Sequence, residues 1–97
     1  MSKPILCLDF DGVLHSYASG WKGADVIPDP PVAGAMEFLR DATEHFDLWI
    51  LSSRSNEPGG IDAMQVWLKE HLIETFGVEV AHSLAVQIKL PTHKPAA

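Results

Sequence analysis

Two four-residue apolar runs, Ile5-Leu6-Cys7-Leu8 and Leu48-Trp49-Ile50-Leu51, each break off into polar turn residues, and a helical pattern lies between them. The first is bounded by Pro4 and by the turn chemistry of Asp11-Gly12, the second by Ser52-Ser53-Arg54-Ser55. Runs so short and so bounded read as strands with both faces buried, as in a parallel sheet. Between them the positions Val32, Ala35, Met36, Leu39, Ala42, Thr43 and Phe46 recur at helical spacing, with Arg40, Asp41 and Glu44 elsewhere. Pro31 suits the start of that helix, where a missing N–H costs nothing. Strand, crossover helix and strand make a parallel pair, joined in the right-handed sense.

The rest of the chain extends the same alternation. Residues 13–31 have no sustained periodicity and are broken by glycines and prolines, so they read as a loop insert of the kind that is functional or mobile. After the turn-rich residues 56–60, a second helix over 61–74 presents Ile61, Met64, Trp67, Leu68 and Leu72 on one face. Gly77 interrupts it. The pattern of residues 78–85 fits a helix or a strand equally, and residues 86–90 read as a third strand before Pro91 and Pro95. The expectation is a single α/β domain over residues 1–97: a Rossmann-like parallel sheet of three strands flanked by helices. Ligands of such sheets sit beyond the carboxyl ends of the strands, where both polar turns fall.

Composition removes several classes of function. With 46% apolar and 21% charged residues the chain can form a core. A net charge of −6 argues against nucleic-acid binding over a broad basic surface, though not against a local basic pocket. The single cysteine, Cys7, has no internal disulfide partner and reads as a buried strand residue in a reducing compartment. The apolar runs fall far short of the ~20 residues that cross a bilayer, and the first residues show no signal-peptide pattern. The cytoplasm is the expected location. No GxxxxGK[ST] or GxGxxG loop is present.

The chemistry concentrates in Asp9-Phe10-Asp11-Gly12-Val13. Residues two apart on a strand point to the same side, roughly 6.6 Å apart, and a turn at Gly12 draws them closer. Two carboxylates emerging from a buried strand call for compensation, and a divalent cation with hard oxygen ligands, Mg²⁺, is the natural candidate. The same spacing also occurs in a solvated turn whose aspartates cap local N–H groups.

DFDGV after an apolar strand resembles the first signature, DxDG[TV], of the haloacid-dehalogenase-like hydrolases. The resemblance implies that Asp9 attacks phosphorus to form an aspartyl-phosphate, that Asp11 protonates the leaving group and then activates water, and that Asp9 and the Asp11 carbonyl hold Mg²⁺. A covalent intermediate divides one difficult displacement into two easier ones. The family's second signature, a hydroxyl residue ending strand two, matches Ser52, with Ser53 one register step away. Arg54 follows as in hhh[ST]xR members, and its planar fork suits phosphate. Gly12, Ser53 and Arg54 are thus the accessory substrate contacts, and Pro58-Gly59-Gly60 would aim free N–H groups at the same crevice. The third signature, a charge-screening lysine, matches Lys94, with Lys89 the runner-up.

The fourth signature, one or two acidic residues after a fourth strand, is absent from these 97 residues. The chain is therefore expected to be truncated or to take those ligands from elsewhere, to bind Mg²⁺ weakly, and to leave the first strand with an open edge through which it self-associates. The 13–31 insert is too short for a cap domain, and open sites of this family admit phosphorylated small molecules, nucleotides or polynucleotide ends. The rival readings are a non-catalytic binding or assembly module and, third, a receiver-like domain, whose phosphorylatable aspartate would end the third strand instead of the first. The five histidines show no HxxxH spacing, and only His15 falls near the crevice. Trp21 either stacks on a substrate ring or pins its loop to the core.

Overall fold

Leu48 and Ile50 are both fully buried while Asp47 and Trp49 alternate with them at intermediate exposure, so the second strand has one face in the core. The computed structural model describes residues 3–93. In chain order it contains β1 (Ile5–Leu8), α1 (Ala35–Thr43), β2 (Asp47–Ile50), a single 3-10 turn (Ser53–Asn56), α2 (Gly60–Phe76) and α3 (Val78–Ala85). β1 and β2 pair in parallel, with Ile5 opposite Asp47 and Leu8 opposite Ile50. The molecule is mixed α/β, as the alternation of patterns predicts.

Two local expectations need correction, and the open edge expected for β1 is present among the described residues. β1 is not buried on both faces: Ile5 is 44% exposed and Cys7 is an exposed free thiol. β2 lies on one side only, and no described strand covers the other edge. Residues 86–90 do not form a third strand. Val86 is the C-cap of α3, and Gln87 N–H and Ile88 N–H donate to Leu84 O and Ala85 O, so the chain is still unwinding from the helix when it reaches the sheet. What remains is one bridge: Lys89 N–H donates to Leu48 O at 2.9 Å, and Lys89 O accepts from Ile50 N–H at 2.8 Å. Leu48 and Ile50 face Lys89, whereas the Asp47 and Leu51 N–H groups donate to Pro4 O and Leu8 O; the bridge therefore lies on the edge opposite β1.

α1 begins at Ala35, later than Pro31 suggests. Pro31 is bridged to His15, and Val32 N–H donates to Leu14 O at 2.8 Å, so this stretch closes the insert onto the loop after β1 before the helix can start. Residues 78–85, open from sequence, are helical, with Ala81 and Leu84 buried against the core. That core joins Phe10 and Leu14 after β1, Leu39 of α1, Leu48 and Ile50 of β2, and Met64, Leu68 and Leu72 of α2. Each such side chain contributes about 1.5–3 kcal/mol by leaving water. Among the described residues no helix is long and apolar enough to cross a membrane.

Candidate functional site

Beyond the carboxyl ends of β1 and β2 the surface opens into a cleft of about 760 Å³. Cys7, Leu8 and Leu51 supply apolar lining, and Asp9, Ser52, Asn56, Thr92 and His93 supply the polar groups. Asp9 directly follows β1 and is exposed; its Oδ1 accepts from Phe10 N–H at 2.8 Å, which fixes the carboxyl and leaves Oδ2 free among the described residues. Ser52 caps the 3-10 turn: its Oγ accepts from Arg54 N–H at 3.1 Å, and its N–H donates to Ser55 Oγ at 3.1 Å. This reciprocal pair holds Ser52 in place and leaves its O–H to donate. Of the two serines, Ser52 lines the cleft and Ser53 is an exposed residue of the turn.

Asp11 has a different environment. The turn at Gly12, with φ of 79°, carries the chain back so that Gly12 N–H donates to His15 O at 2.7 Å. The Asp11 carboxylate then meets two buried cations or donors. Arg54, with no exposed surface, donates from Nε to Oδ1 and Oδ2 at 3.2 and 3.0 Å and from Nη2 to Oδ1 at 3.1 Å. His15, equally buried, faces Oδ1 through Nδ1 at 2.9 Å. Its Nε2 accepts from Asp29 N–H at 3.1 Å, an arrangement that puts the ring proton on Nδ1 and makes His15 a donor to Asp11.

Arg54 continues across the site. Its Nη1 donates to the carbonyls of Gly23, Ala24 and Val26 at 2.8, 3.0 and 3.1 Å, and its Cζ lies 4.7 Å from the Trp21 ring centre. A buried guanidinium needs such partners on every side. His15 packs at 5.7 Å from Phe10 and 5.8 Å from Trp67, whose Nε1–H donates to Asp29 O at 3.0 Å. The hydroxyl and then the amide of Ser19 bond the Asp29 carboxylate and hold it below its ordinary pKa.

The structure thus brings Asp9 and Ser52 to one cleft, and Asp11, His15 and Arg54 into one buried network beside it. Gly12 directs its N–H to His15. Lys94 lies outside the described residues, and the runner-up Lys89 pairs at 2.9 Å with Asp47, the first residue of β2, at the end away from the cleft. Asn56, His93 and Asp29 were not singled out by sequence reasoning. The Ser52 capping pattern is a signal that could have placed Asn56, which closes the turn it starts. Among the described residues no group of three or more His, Cys, Asp or Glu side chains is arranged to hold a metal ion. No known family model matches this chain, and neither does any curated protein or solved structure.

Proposed function

We propose that this chain is a phosphohydrolase of the haloacid-dehalogenase-like kind, acting in the cytoplasm through an aspartyl-phosphate on Asp9. The observation that carries the reading is the shared cleft: Asp9 and Ser52, which stand at the ends of two adjacent parallel strands, line the same cavity. In the first step the free Oδ2 of Asp9 attacks phosphorus, the bond to the leaving-group oxygen breaks, and that oxygen takes a proton from Asp11, which enters the step in its carboxylic acid form after turning from Arg54. In the second, water attacks phosphorus while Asp11 accepts its proton, and the Asp9 carboxylate is released. Ser52 donates its O–H to a phosphoryl oxygen, and the family resemblance assigns the charge-screening role to Lys94. Arg54 serves the phosphate through Asp11, because each of its nitrogens is already bonded. The open cleft suits a phosphorylated small molecule, a nucleotide or a polynucleotide end.

The donor set fits Mg²⁺ held loosely. The Asp9 carboxylate and the Asp11 carbonyl are available, while the Asp11 carboxylate is bonded to Arg54 and His15. A Mg²⁺ ion with one carboxylate keeps several waters and gains further oxygen ligands from a phosphate. When bound it neutralises phosphoryl charge.

The engagement of Asp11 by Arg54 and His15 also favours a second reading, a module that binds phosphate in this cleft without turnover. Hydrolysis of an activated aryl phosphate in the presence of Mg²⁺ separates the two. The hydrolase reading expects turnover by the wild type and loss to background in a folded Asp9→Asn variant. Asp9→Asn activity at the wild-type rate would refute the nucleophile, and phosphate binding without any turnover would favour the module.

A further inference from the structure

Among the described residues Arg54 is the largest fully buried side chain, and it joins two segments that are remote from it in sequence. Nε and Nη2 bond the Asp11 carboxylate, and Nη1 bonds three carbonyls of the insert, those of Gly23, Ala24 and Val26. Trp21 of the same insert covers the guanidinium at 4.7 Å. On the other side of the chain, α2 begins so close to Arg54 that a Cβ on Gly60 would stand 1.8 Å from Arg54 O. The backbone that carries the guanidinium is therefore boxed in, and the guanidinium cannot follow one partner without leaving the other.

Asp11 itself is 16% exposed and does not line the cleft that Asp9 lines. If it is to reach a leaving group it must turn from Arg54, and the energy of that turn depends on how firmly the insert holds Arg54. We propose that Arg54 is a positioning residue that couples the insert to Asp11, with Trp21 and the carbonyls of Gly23, Ala24 and Val26 setting the placement of the Asp11 carboxylate. This rests on the acid–base role of Asp11 in the proposed hydrolase for its catalytic consequence, but the coupling itself is a property of the fold. It assigns Trp21 a function through Arg54 instead of a contact with substrate. A planar five-donor fork is what the arrangement requires; lysine, a single point charge, can satisfy Asp11 or the loop but not both.

Two readouts on the whole chain test it. The first needs no activity: amide exchange at Val26, whose N–H donates to Gly23 O at 3.2 Å. Both Arg54→Lys and Asp11→Asn are expected to speed exchange at Val26 by about tenfold, while amides in α1 keep their protection. Unchanged exchange at Val26 in both variants would overturn the coupling. The second is steady-state kinetics of Trp21→Ala, a half-exposed position whose truncation leaves the core intact. With an aryl phosphate and Mg²⁺ the expected result is a several-fold fall in kcat with KM within about twofold. A raised KM with unchanged kcat would overturn the assignment in favour of direct substrate stacking. A wild type without hydrolysis would refute the proposed activity, and the Val26 exchange would still decide the coupling.

Discussion

Gly60 shows how single positions carry the site. Its φ is unremarkable, yet a Cβ there would meet Arg54 O at 1.8 Å and Arg54 Cβ at 3.1 Å. The obstruction is backbone, fixed by the Ser52 cap on one side and the guanidinium bonds on the other. Gly60→Ala is therefore expected to destabilise the fold by about 3 kcal/mol, read from the urea midpoint; an unchanged midpoint would mean that the 3-10 turn yields freely. At this scale Asp9 and Ser52 were legible because each follows an apolar run at a place where parallel sheets put their ligands. The tie from Arg54 to the insert was not. Its acceptors are backbone carbonyls 31, 30 and 28 residues away, and a carbonyl leaves no trace in residue type. The burial of His15 was hidden in the same way, since its second partner is the Asp29 amide.

Among elements, the stretch after α3 is held by the buried Ile88, by two backbone bonds from Lys89 to β2 and by one ion pair. Lys89 Nζ donates to Asp47 Oδ1 and Oδ2 at 2.9 and 3.0 Å, next to the single backbone bridge between Lys89 and Trp49. The Lys89 bond, followed by one from Trp49 Nε1, holds the Asp47 carboxyl below its ordinary pKa. The folded pKa is lower than the unfolded one, so the pair stabilises the fold above the usual aspartate range of about 3.9, and that contribution is lost as pH falls through the lowered value. Asp47→Asn is expected to reduce thermal stability slightly at pH 7 and not at all at low pH. An equal loss at both values would mean that Asp47 acts by packing, not by charge. The third strand expected over residues 86–90 fails here for a related reason. Its apolar residues fit a strand, but α3 extends to Ala85 and its C-terminal turn uses Val86 to Ile88, leaving Lys89 alone to reach β2. Periodicity marks what an element buries and not where a neighbouring helix stops.

For the whole molecule, the open edge of β1 is the feature with the largest consequence. Pro4 O and Leu8 O bond β2, so the alternate residues Ile5 and Cys7 turn their backbone groups to the other side, where no described strand lies. An apolar edge of this kind is a template for another strand. We propose that this chain associates through β1. Sedimentation over a dilution series is expected to show mass falling with dilution, and Ile5→Lys to shift the equilibrium toward monomer; a monomer at every concentration would contradict it. The central claim, an aspartyl-phosphate on Asp9, is met most directly by mass spectrometry of the protein quenched in acid during turnover of an aryl phosphate with Mg²⁺. The expected result is the mass of one added HPO₃ group on the peptide containing Asp9, absent from Asp9→Asn. Turnover with the group on His93 or Cys7, which line the same cleft, or with no adduct and full activity in Asp9→Asn, would contradict it.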